Sequence, residues 1–252
     1  MSENSFRFYF LWKTIVHGSV IAALIAWASA VQANKPKNIE ESEMRLAPAY
    51  CRDTQGFGYG DAYSNTSPRA GYWVGLMGKS FWHMHHYCWA RISFNRSQRA
   101  GISAQDRKAL WESARGDYHY VINNSPRDFV MLPEIFTKLG EVELLLGQPN
   151  KANEAFARAR EQKHDYWPAY SHWAEFLVKA GKRPEALKVV TAGLAYSPDS
   201  KVLLELFRVL GGKPSDMPPP VKKAEPQPSL RDTETTDGPS DVKKSEESVT
   251  VN

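Results

Sequence analysis

Hydrophobic and polar positions follow helical spacing in the middle of the chain, over residues 81–123 and 133–210. The first apolar stretch, residues 14–30, carries no charge and follows Arg7 and Lys13. Residues 81–99 and 104–123 each read as a helix, the second opened by Ser103 with Asp106 three positions on, a start signal. After residue 130 the pattern repeats. Residues 133–147 align with residues 167–181 at an offset of 34. The register holds at Phe136/Tyr170, Leu139/Trp173, Gly140/Ala174, Gly147/Gly181, Ala152/Ala186 and Phe156/Val190. Each unit predicts two helices joined at a glycine, because glycine takes the left-handed conformation that ends a helix. Residues 201–210 predict one more helix, a cap stopped by Gly211-Gly212. Residues 34–80, rich in Gly, Pro and Ser, predict an irregular N-terminal segment.

Length and spacing together make residues 133–200 resemble the tetratricopeptide repeat. In that family a large residue, a Leu and a small residue open helix A. A Gly then turns the chain, and Ala and an aromatic pack helix B. Glu143 replaces the family's aromatic, and His164 its closing Pro. The resemblance implies an all-α fold of helical hairpins in an α-solenoid: repeats at 133–166 and 167–200, within a helical domain over residues 81–212. It implies a concave groove lined by the A helices, at Glu134, Thr137 and Glu141, then Ser171, Glu175 and Lys179. Such a groove holds partner peptides. This one lacks the basic residues of the subgroup that clamps a peptide carboxylate, and its acidic balance suits basic or amide-rich segments.

Composition changes the picture at both ends. The charge-free stretch ends in small residues, Ala28-Ser29-Ala30 and Val31-Gln32-Ala33, which reads as a secretory signal over residues 1–33. Its alternative is an uncleaved anchor in the inner membrane, and only then is a membrane contact expected. Residues 213–252 hold seven of the sixteen prolines and few large apolar side chains, so they predict a disordered tail. Net charge is +4 over 252 residues, with Lys and Arg dispersed, which argues against nucleic acid as a partner. A periplasmic or secreted location gives the two cysteines, Cys51 and Cys88, a simple use as a disulfide. The competing use is ligation of a metal or haem.

One cluster has a chemistry of its own: His83-Met84-His85-His86-Tyr87-Cys88. On a helix His83 and His86 share one face, and His85 and Cys88 another. A metal held by His83, His85 and His86 therefore needs further ligands, for which His119, Asp117 or Asp53 are available by composition. The leading reading of the cluster is instead structural: Cys88 in a disulfide, Trp82, Tyr87 and Trp89 in the core, and the histidines at a boundary, hydrogen-bonded to backbone or carboxylate groups; contact with a partner is a third reading. Neither C-x-x-C-H nor H-E-x-x-H occurs. The motif F-x-H-M-H-H-Y-C followed by these repeats also resembles a group of exported bacterial proteins, a resemblance that brings no activity with it. No phosphate-cradling glycine loop or nucleophile elbow is present, and carboxylate pairs such as Glu141/Glu143 read as solvated helix faces. The expected function is thus non-enzymatic and without a cofactor: an interaction scaffold or assembly factor for proteins of a cell-envelope complex. The alternative is a metal- or haem-binding periplasmic protein.

Overall fold

The computed structural model describes residues 35–57 and 67–221. The expected signal segment and the tail beyond residue 221 lie outside the described residues. Among those described there are helices and turns and no strand. Nine α-helices follow one another: α1 Glu41–Leu46, α2 Ala70–Met77, α3 Met84–Ser97, α4 Ala104–Asn124, α5 Leu132–Leu145, α6 Pro149–Gln162, α7 Pro168–Lys179, α8 Arg183–Tyr196 and α9 Lys201–Val209. The segment expected to be irregular thus holds two short α-helices and a 3₁₀ turn, Ala49–Asp53. The helix expected from residue 81 instead begins as a 3₁₀ turn, Gly78–His83, before α3.

The starts and stops have plain causes. Ser103 caps α4, its side-chain oxygen accepting the Asp106 N–H at 3.0 Å. Proline stands in the first turn of α5, α6, α7 and α8, where its missing N–H costs nothing. Gly147 and Gly181 end α5 and α7 with φ of 72° and 76°. The next residue then donates back over the turn, Gln148 N–H to Glu143 O and Lys182 N–H to Leu177 O, each at 2.8 Å.

Packing follows chain order. The pairs α3–α4, α5–α6 and α7–α8 make the broadest contacts, α5 also touches α7, and α9 closes against α7 and α8. Small residues set the helix approach. Ala152, Ala159, Ala174 and Ala186 are fully buried. A Cβ added at Gly140 would stand 2.8 Å from the Phe156 ring, and one at Gly193 as close to Leu203 and Tyr170. One apolar core lies under α3, α4 and α5, around Phe81, Met84, Tyr87, Ile92, Tyr118 and Ile135. A second lies between α7, α8 and α9, around Ala174, Val190, Leu194, Leu203 and Phe207.

The N-terminal segment is fastened to α3 twice. Cys51 and Cys88 form a disulfide, with both residues fully buried. The buried Glu43 carboxylate accepts from Arg96 Nε at 2.6 Å and from Arg99 Nη2 at 2.7 Å. Arg96 reaches on to the carbonyls of Lys37 and Asn38 at 2.9 and 3.0 Å. A third node is Asp53, which accepts the Trp73 indole N–H at 2.7 Å and so seats α2.

Candidate functional site

A cavity of about 280 Å³ opens between α3, α5 and α7. Its floor is apolar: Phe94 from α3, Leu144 and Leu145 from α5, and Phe176 from α7. Its rim is polar, with Glu141, His172, Glu175 and Lys179. Helical spacing produces this division. Residues 141, 144 and 145 recur on one face of α5, and residues 172, 175, 176 and 179 on one face of α7. The 34-residue offset carries Glu141 onto Glu175 and Leu145 onto Lys179.

Charges on the rim are not equivalent. Glu141 accepts from Lys138 Nζ at 2.8 Å and lies 3.4 Å from His172 Nε2. Glu175 and Lys179 are exposed, and neither has an ion-pair partner among the described residues. Phe176 is fixed from behind by Trp173, stacked at 5.2 Å between ring centroids.

Three of the six residues expected in the groove, Glu141, Glu175 and Lys179, line this cavity. The other three are placed elsewhere. Thr137 and Ser171 are 1 and 2 % exposed, so neither lines a groove. Their hydroxyls donate within their own helices, to Pro133 O at 2.8 Å and Pro168 O at 3.2 Å. Glu134 is half-buried and accepts the phenolic O–H of Tyr87 across the α3–α5 contact. Glu143, read from the sequence as a solvated face, is buried beside Arg115 at 4.0 Å, and burial raises its pKa. Phe94, Leu144, Leu145, His172 and Phe176 were missed. Spacing could have found the last four from the repeat phase, but Phe94 arrives from another hairpin.

The histidine cluster lies at the α3–α4 contact. His86 Nδ1 is 2.7 Å from Asp117 Oδ1, and Asp117 is fully buried with Oδ2 lacking a hydrogen-bond partner. Tyr120, one turn along α4, stacks on the His86 ring at 3.7 Å. His85 Nδ1 sits 2.8 Å from the Trp82 carbonyl, which can only accept, so Nδ1 carries the proton. Trp89 meets both rings edge-on, at 4.8 and 4.6 Å. Burial pushes the His85 and His86 imidazoles down to about 4 and the Asp117 carboxyl up to about 8. His83, less buried, is lowered for the same reason.

Most of the cluster's potential ligand atoms have partners within the protein. Cys88 is committed to the disulfide, and His85 and His86 have their Nδ1 atoms tied to Trp82 and Asp117. Among the described residues no three His, Cys, Asp or Glu converge as a metal ion would need. Asp53 instead serves Trp73 and Ser67, and His119 is exposed on α4. What the cluster does is join two helices through the buried His86–Asp117 hydrogen bond, under the stacked Tyr120 ring. In comparisons with known proteins, no family model and no curated protein matches this chain.

Proposed function

We propose that this protein is an exported interaction scaffold or assembly factor of the bacterial cell envelope, which holds a segment of a partner protein in the α3–α5–α7 groove. The observation that carries the reading is the apolar floor of that groove. Phe94, Leu144, Leu145 and Phe176 come from three different helices and line an open cavity, Phe94 and Leu144 with one side also packed against the cores beneath. Leu145 is 41 % exposed, and a large apolar side chain at the centre of a charged rim is what a binding surface carries. In this reading α3–α4, α5–α6 and α7–α8 are successive tetratricopeptide-like hairpins capped by α9. Their A helices line the concave side, as stacked repeats require. The buried disulfide suits an oxidising compartment. The role is non-enzymatic and needs no cofactor.

The test uses a photo-crosslinking residue in the full chain, expressed in the source cell. Placed at Leu145 it should give a discrete adduct of one envelope protein, and Phe176→Asp should abolish it. The same residue at exposed Glu154 on α6 should give none. Equal adducts at both positions, or none at Leu145, would overturn the groove as a binding site.

A further inference from the structure

The groove's walls restrict the form of partner it can take, an inference that rests on the binding role just proposed. All three walls are helices, whose backbone N–H and C=O groups are consumed within the helix. The groove therefore offers no edge to which an extended chain could pair. Side chains do not replace that edge, since the lining contains no Asn or Gln. An extended segment would bring a donor and an acceptor per residue and meet four polar side chains, of which Glu141 is already engaged by Lys138. A helix satisfies its own backbone and needs only an apolar stripe, which the floor supplies. The cavity, about 280 Å³, is below the usual range for a cofactor pocket and suits a few large side chains from such a stripe.

Charge adds an orientation. Glu175 and Lys179 lie four residues apart on α7, one helical turn, beside the floor. We propose that the groove seats an amphipathic helix of the partner protein. Its apolar side chains, spaced i, i+3 or i+4, rest on Phe94, Leu144, Leu145 and Phe176. A basic side chain meets Glu175, and an acidic one, a turn away, meets Lys179. The complement is specific in order as well as sign, so reversing it on one side must be answered on the other.

The experiment selects from a displayed library of helix-forming 16-residue peptides, against the oxidised full chain. The same library is panned on the Glu175→Lys/Lys179→Glu double variant and on Leu145→Asp. The wild-type protein should enrich peptides with Leu or Phe at helical spacing and one basic and one acidic residue a turn apart. Selected peptides should lose about tenfold in Kd on the double variant by fluorescence anisotropy, the scale of two exposed charge contacts reversed. Exchanging the two charges within the peptide should restore binding. Circular dichroism should show the peptide helical when bound. Enrichment of proline-rich or extended sequences, or helical peptides indifferent to the double variant, would overturn the helix and its charge order while leaving the groove a binding site. No enrichment on wild type above Leu145→Asp would overturn the groove reading itself.

Discussion

The substitution Asp117→Asn removes one titrating group from a buried pair without changing its shape, and the pH dependence of stability then exposes the proton it held. In the fold the His86–Asp117 pair carries one dissociable proton from about pH 4 to about pH 8, whether on the carboxyl or the ring. In the unfolded chain Asp ionises near pH 3.9 and His near 6.5, each an approximate reference value. Between roughly pH 4 and 6.5 the folded and unfolded pairs hold equal protons, and the pair is silent. Above the unfolded His value the unfolded pair holds none while the folded pair keeps one, so stability falls as pH rises towards about 8. One proton is worth about 1.4 kcal/mol per pH unit, hence about 2 kcal/mol over that alkaline window. His85 acts in the opposite sense: its folded pKa is about 4, so its contribution is whole above about pH 6.5 and is lost as pH falls towards 4. The amide that replaces the carboxyl can still accept the His86 Nδ1–H but cannot titrate. Stability of the variant relative to wild type should therefore rise with pH across the whole window, by about 1.4 kcal/mol per unit. His83 and His85 affect both proteins equally and cancel. Urea unfolding of both oxidised proteins from about pH 4.5 to 8, at constant ionic strength, measures this difference. Parallel curves would refute the shared proton.

Four further outcomes are expected. Gly140→Ala brings a Cβ to 2.8 Å from the Phe156 ring and should cost about 1–3 kcal/mol in chemical denaturation. Ala186→Trp, at a fully buried position of α8, should cost at least about as much while leaving a helical circular dichroism spectrum. Cys51→Ser/Cys88→Ser opens a link spanning 37 residues and should lose about 3–4 kcal/mol, and intact mass of the wild type should show no free thiol. Glu43→Gln weakens the hold of Arg96 and Arg99, and limited proteolysis should then cut within residues 35–46 before the rest of the chain.

The sequence revealed most where the deciding signal is local. Gly147 and Gly181 mark stops, and Ser103 caps the helix that the spacing places after it, because each acts within a turn or two. Facing was harder. Spacing put Thr137 and Ser171 on the same helix faces as Glu141 and Glu175, but neighbouring helices cover them. Glu143 was misjudged for the same reason, since a carboxylate two residues from the exposed rim can still point inward. Long-range pairs had no local signature at all. His86 and Asp117 stand 31 residues apart, and Arg96 and Glu43 53 apart, so nothing in either neighbourhood announces the partner. The short helices α1 and α2 escaped for another reason. Six and eight residues are too few for a clear period, and α2 contains two glycines.

The Cys51–Cys88 bridge imposes an order on biosynthesis. A chain made from its N-terminus presents Cys51 while its partner is still 37 residues away, and the partner arrives only with α3. Throughout that interval the thiol can react only with other molecules. Once Cys88 emerges, two cysteines allow a single internal connectivity, so there is no scrambled isomer to correct. Maturation then calls for an oxidant and not for an isomerase, and its one covalent error is a bond to another chain.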